Sequence, residues 1–185
     1  MIRKFGVLLG ALSLAYPIEA KAPGLTTYEA VKQVRCGRGS GTAFRVRGGD
    51  FVSAAHVTTI GGCTINDTPI EGAVEGDLDV AIIKGLPNDG PSFPINCEGM
   101  TPNTYVFAVG YAAGFPWQTM TRLLVTAQRS PNGFVGLYGT PTVVPGMSGG
   151  VVINEAGEAV GVINMFTPFG PWSLSRSLSD TSLCK

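Results

Sequence analysis

The chain has 185 residues, of which 26 are glycine and 13 proline; only 14% are charged and the formal net charge is zero. That balance offers no basic patch for nucleic acid and no acidic run for a solvated binding arm, so neither partner class is expected. The length suits one large domain or two small ones on a shared core, and short apolar runs broken by glycine and proline point to an all-β chain.

The first residues have the order of a secretory signal. Arg3 and Lys4 are followed by an apolar run from Phe5 to Leu14, then by small residues at Ala15, Ala20 and Ala22. A span of the bilayer needs about 20 apolar residues, more than this run supplies. Residues 1–22 are therefore expected to be a signal peptide, cut after Ala15, Ala20 or Ala22, and the mature protein to be secreted or periplasmic. The alternative is a membrane anchor made by the same segment left uncut.

Thr27 to Arg35 fits a strand or a short helix. Thr42 to Arg47 alternates as a strand, Gly48-Gly49-Asp50 turns, and Phe51 to Ser53 returns as the second arm of a hairpin. Further strands are expected at Cys63–Ile65, Ile70–Val74 and Val80–Ile83. Residues 86–101 ("LPNDGPSFPINCEGMT") are rich in turn formers and read as a surface linker. A second set of strands follows, in "TYVFAVGY", "TMTRLLVTAQ", "GFVGLYG", "TVVPG", "GGVVIN" and "EAVGVINMF". Leu174, Leu178 and Leu183 fall at roughly helical spacing, so the tail is expected to be a helix. The expected organisation is a first barrel over 23–88, a linker over 89–101, a second barrel over 102–170 and a tail over 171–185.

Four cysteines, Cys36, Cys63, Cys97 and Cys184, lie far apart and form no CxxC pair. With His56 the only histidine, a site of two cysteines and two histidines is excluded, and neither metal nor cofactor is expected. Two disulfides suit an exported chain, and four cysteines allow three pairings.

The chemistry concentrates in "VVPGMSGGVVI", residues 143–153, where Pro145, Gly146, Gly149 and Gly150 surround Ser148. Glycine is needed where a Cβ would forbid the conformation or the approach, so this backbone is shaped around one hydroxyl. A serine hydroxyl becomes a nucleophile beside a base that a third group orients. The base must be the single histidine, His56 in "SAAHV". The orienting carboxylate is Asp79, opening "DVAII", with Asp77 as the alternative if the register slips by two.

These three motifs, in the order His, Asp, Ser, resemble the chymotrypsin-fold, trypsin-like serine proteases. The frame is similar too, in "GSGTAF" before the histidine, in "VFAVGYAAG", and in "GGVVINEAGEAVGVIN" after the serine. The likeness covers roughly Cys36 to Phe166 and is nearer to compact HtrA-like and viral or phage relatives than to digestive enzymes. It implies two antiparallel six-stranded β-barrels with the site between them, and a serine endopeptidase acting on polypeptides.

In that family's terms His56, Asp79 and Ser148 are the catalytic residues, and the N–H groups of Gly146 and Ser148 form the oxyanion hole. Thr142, Val143, Asn164, Met165 and Phe166 bind substrate. Thr142, Val143, Met165 and Phe166 carry no charge, so cleavage is expected after small or medium apolar residues. The strand near Asn164–Phe166 is expected to pair with extended substrate. Met147 stands where trypsins carry the aspartate that pairs with a newly cut N-terminus, so no such activation is expected. A Cys36–Cys63 bridge would clamp the histidine loop, which leaves Cys97 for Cys184. Two other functions fit the same residues: a catalytically silent binding module of this fold, and an esterase-type acyl transferase.

Overall fold

The computed structural model describes residues 29–185 except 38, 75–77, 88, 114 and 167–169, so the leader and Asp77 lie outside the described residues. The described residues are mostly β, in two sheets. The first has seven strands: β1 (Val31–Cys36), β2 (Gly39–Arg45), β3 (Phe51–Ser53), β4 (Cys63–Ile65), β5 (Thr68–Pro69), β6 (Gly72–Val74) and β7 (Ala81–Ile83). Their order is β5-β4-β1-β2-β3-β7-β6, a half-barrel of seven strands that forms the first member of the all-β double-barrel fold expected from sequence. Strands of two or three residues at both edges carry few ladder bonds, and among the described residues the two edges do not pair.

The second sheet does close. It contains β8 (Tyr105–Tyr111), β9 (Gln118–Arg129), β10 (Val135–Tyr138), β11 (Val151–Ile153), β12 (Ala159–Phe166) and β13 (Trp172–Ser177), in the cyclic order β10-β13-β12-β11-β8-β9. β13 corrects the reading of the tail as a helix. Ser173 faces Leu137 and Ser175 faces Val135 across the ladder, so the chain here closes the barrel. Only two short 3-10 turns, Leu178–Asp180 and Ser182–Cys184, follow it.

β2 is buried on both faces, which explains how the sheets join. Ala43 packs with Val34, Phe51 and Val57 under the first sheet. Phe44, the next residue, points the other way as strand alternation requires. It joins Val46, Val52, Phe107, Val109, Val151 and Val162 in a core shared by both sheets. A separate cluster with Leu123, Leu137, Val143, Met147 and Ile163 fills the closed barrel. Emptying a site such as that of Phe44 would cost about 3–5 kcal/mol.

The connection between sheets is not a free surface linker. Phe93 is buried against Phe44, and it exchanges backbone hydrogen bonds with Arg45 and Arg47. Two residues on, Ile95 pairs with Ala159 of β12. The segment is thus stitched to one sheet and then the other. Cys36 is bonded to Cys63 and Cys97 to Cys184. The first bridge joins β1 to β4 beside the histidine segment; the second ties the last turn to the connection.

Candidate active site

His56 lies in α1 (Ala55–Thr58), a single helical turn that follows β3 directly. Ala55 and Val57 are buried on either side of it, which turns the imidazole outward. Asp79 lies just ahead of β7 with φ of 54°, a left-handed conformation costly for most residues but tolerated by aspartate. Its carbonyl accepts the Ala55 N–H at 3.2 Å, which ties the two segments together.

The side chains then meet directly. His56 Nδ1 lies 2.8 Å from Asp79 Oδ2 and 3.1 Å from Oδ1, and the His56 N–H donates to Oδ1 at 2.9 Å. With Nδ1–H facing the carboxylate, Nε2 is the nitrogen left to accept a proton. Burial pushes the Asp79 carboxyl up, but hydrogen bonds from the His56 ring and N–H and from the Asn164 amide outweigh it and hold the group below its ordinary range.

Asn164 on β12 is central to this arrangement. It is 1% exposed, and its amide donates to both the Asp79 carbonyl (2.7 Å) and Oδ2 (3.0 Å). Its own Oδ1 accepts the Arg176 N–H from β13 at 2.8 Å. The residue that the sequence assigned to substrate through its strand thus has its side chain on the aspartate. The signal for this lies in no local motif, because the two residues are 85 apart in the chain.

Ser148 precedes β11. Its hydroxyl donates to the Asn164 carbonyl at 3.2 Å, and among the described residues it makes no hydrogen bond with the His56 ring. Asn164 thus touches both partners, one through its side chain and one through its backbone. Before substrate binds, catalytic hydrogen bonds are often long or turned aside, and one torsion of the serine redirects its hydroxyl.

The turn ahead of Ser148 is well defined. Met147 N–H donates to the Val144 carbonyl at 3.1 Å, and Gly146 between them has φ of 90°. With Pro145 at the second position and Gly146 at the third, this is the pattern of a type II turn. Gly149 is required for a different reason. A Cβ there would collide with the Thr42 carbonyl and the Ser53 hydroxyl, so only glycine lets the Ser148 loop press onto β2 and β3.

The remaining residues assigned to substrate are spread out. Val143 is buried in the core of the closed barrel, whereas Met165 is 47% exposed beyond Asn164. Thr142 is half-buried, and among the described residues its hydroxyl has no partner, nor have the buried hydroxyls of Ser173 and Ser175. Phe166 ends β12, but its side chain lies outside the described residues.

Known structures share this architecture. The active form of the Rv3671c protease from M. tuberculosis superposes with a TM-score of 0.68 at 20% identity, over 82% of this chain and 77% of that one. The HtrA-type protease AlgW with tripeptide gives 0.68 at 18% identity, over 82% of this chain and 57% of that one. A serine endoprotease from Yersinia pestis gives 0.65 at 21% identity, over 80% and 58%. At such identities the likeness is one of fold. No curated protein sequence matches the chain. The model of the trypsin-like peptidase domain matches residues 39–162, about two thirds of the length. With that match, and a histidine–aspartate pair and a glycine-framed serine on this fold, the chain belongs to the trypsin-like peptidase family.

Proposed function

We propose that this protein is an exported serine endopeptidase that cleaves polypeptides through His56, Asp79 and Ser148. The observation that carries the reading is the His56 Nδ1–Asp79 Oδ2 pair at 2.8 Å, made in a member of this family by the only histidine in the chain. Ser148 Oγ attacks the peptide carbonyl carbon and His56 Nε2 takes its proton. Asp79 keeps the imidazole in the tautomer that leaves Nε2 free and stabilises the imidazolium that forms. His56 then gives the proton to the leaving amine, and water repeats the cycle on the acyl-enzyme.

The N–H groups of Gly146 and Ser148 receive the oxyanion. Among the described residues no backbone carbonyl accepts either of them. Such donors act on charge that develops only in the transition state, and each is worth about 10²–10³ in rate. No acidic or basic side chain lies in residues 139–144 or 162–166, so cleavage follows uncharged residues. Burying an unpaired charge there would cost several kcal/mol. Two disulfides suit an oxidising compartment such as the cell exterior or a periplasm. Among the described residues no helix is long and apolar enough to cross a membrane.

The test is labelling by a fluorophosphonate together with a peptide-library digest, each with Ser148→Ala as control. Labelling confined to Ser148, with cleavage after uncharged residues, is expected. An unlabelled but folded protein would leave a binding module of the same fold. Labelling with ester turnover but no peptide cleavage would leave an acyl transferase.

A further inference from the structure

We infer that Thr42 is a positioning residue that holds the oxyanion turn in its working conformation, a task that an activation-generated ion pair would otherwise perform. The inference rests on the serine-protease reading above and extends it to how the site is kept competent.

Two carbonyls flank Gly146, and both are anchored. The Pro145 carbonyl accepts the N–H of Ala113, and the Gly146 carbonyl accepts the Thr42 hydroxyl at 2.9 Å. A trans peptide points its N–H and C=O in opposite directions. Fixing the Pro145 carbonyl on Ala113 therefore sends the Gly146 N–H to the other side of the turn. Rotating that peptide, the change that separates type II from type I turns, would break the bond to Ala113. The Thr42 bond fixes the next peptide, so the turn cannot move by sharing the rotation between two units.

Thr42 is suited to this by its own surroundings. It is fully buried on β2, on the opposite sheet from the turn it holds. Its hydroxyl accepts the Tyr111 N–H at 2.9 Å and donates to Gly146, so its proton has one destination. Tyr111 N–H, Thr42 hydroxyl and Gly146 carbonyl form a chain in which each bond polarises the next. The Thr42 N–H donates to the Ser148 carbonyl at 2.8 Å, and its carbonyl accepts the Ser53 hydroxyl at 2.7 Å. One residue thus grips the turn on both sides of Met147.

The end of β8 is bent to complete the grip. Ala113 has φ of 49°, a left-handed conformation uncommon for alanine. Residues held this way persist where their surroundings over-determine them, and here the N–H so presented reaches Pro145. Met147 itself is buried and accepts a hydrogen bond from Thr119, so no charged group is needed at its position.

The test compares Thr42→Val, which keeps the shape and removes the hydroxyl, with Thr42→Ser, which keeps the hydroxyl. Three quantities are read: kcat per titrated active site, KM, and affinity for a peptide aldehyde whose tetrahedral adduct puts an oxygen in the hole. Removing a donor from the hole itself costs about 10²–10³ in rate, so loosening one indirectly should lower kcat by about 10–100-fold. Aldehyde affinity should fall in parallel, KM should stay within about threefold, and Thr42→Ser should restore all three. A purely structural role would lower the melting temperature and the titratable fraction but leave kcat per site and aldehyde affinity intact; that result overturns the proposal. Thr42→Ala serves as the second variant should Thr42→Val fail to fold, with the same expectations. An active wild type with an unaffected Thr42→Val sinks the proposal alone, whereas a wild type without hydrolysis or labelling sinks the protease reading with it.

Discussion

The two halves of the molecule hold their functional groups by different means. On the open sheet, His56 and Asp79 bond to each other within one cluster of short segments, and the Cys36–Cys63 bridge closes the loop that carries the histidine. In the closed barrel, Ser148 bonds to neither of them. Its loop takes its shape from the other half, through Thr42 and the contact that Gly149 permits, and from the end of β8. The half with the open sheet pairs its two groups directly, with Asn164 of β12 reaching across to Asp79. The half with the complete barrel takes the shape of its serine loop from across the seam. One consequence is that loss of the Thr42 contacts at the seam should disable the serine while leaving the histidine–aspartate pair in place.

The largest effect expected is on the serine itself. Ser148→Ala should lower kcat by a factor on the order of 10⁶, with the fold unchanged by circular dichroism. Adding His56→Ala should cost little more, because residues of a catalytic unit fail together. A double variant much worse than either single one would mean that the halves work independently, against the proposed mechanism.

Next is Asp79→Asn, expected to lower kcat by about 10⁴ through the wrong imidazole tautomer. The same variant tests the depressed carboxyl in a stability titration. A group whose folded pKa lies below its unfolded value adds stability above the unfolded value, about 3.9 for aspartate. That contribution fades as pH falls through the folded value. Chemical denaturation of the wild type should therefore weaken below about pH 4 by more than that of Asp79→Asn. Parallel profiles would mean that Asp79 is not held by His56 and Asn164 in solution.

Asn164→Leu probes a residue that bonds to both Asp79 and Ser148. It removes one of two partners from Asp79 Oδ2 and from the Asp79 carbonyl, which keep His56 and Ala55, and takes from the Arg176 N–H the acceptor it has on Asn164. A buried group stranded in this way costs about 1–3 kcal/mol. Misplacing the carboxylate that orients His56 by about 1 Å should cost on the order of 10² in kcat. A stability loss with kcat per titrated site unchanged would demote Asn164 to a structural role.

The residues legible in the sequence were those whose surroundings are local. His56, Asp79 and Ser148 each sit in a motif of five or six residues, and strand alternation exposes the hairpin of β2 and β3. The roles of Thr42 and Asn164 were hidden because their partners lie 104 and 85 residues away. β13 was hidden for another reason. Its alternation places Ser173, Ser175 and Ser177 inside, so the apolar pattern that normally marks a strand is inverted. The three nearby leucines then supplied a helical spacing by coincidence. The connection was misread because its many turn formers masked Phe93, one aromatic side chain that anchors the whole segment.

The disulfides sharpen the comparison further, because stability and activity should separate. In the chain-entropy picture, a crosslink spanning 87 residues stabilises more than one spanning 27, by about 1 kcal/mol. Replacing Cys97 and Cys184 by alanine should therefore lower the denaturation midpoint more than replacing Cys36 and Cys63. Activity per folded molecule should follow the reverse order, since the shorter bridge packs beside Val57 in the histidine turn. If the Cys36–Cys63 pair proves neutral for kcat, the dyad is held by its own hydrogen bonds and those of Asn164, without the bridge.

The smallest effect expected is at the N-terminus. An enzyme that relies on a newly cut chain end needs a buried acid next to the serine to receive it. Here the neighbour is Met147, buried in the barrel core, and the turn is held by Thr42 and Ala113 instead. Chains that start a few residues before or after Lys21 should thus have kcat/KM within about twofold of one another, the range of changes that touch no built feature. Should activity appear only with one starting residue, the chain end must have a partner in the folded protein, and Thr42 would be supporting a turn that something else sets. Equal activity across the series, together with a damaged Thr42→Val, would place control of the oxyanion turn at the seam between the two sheets.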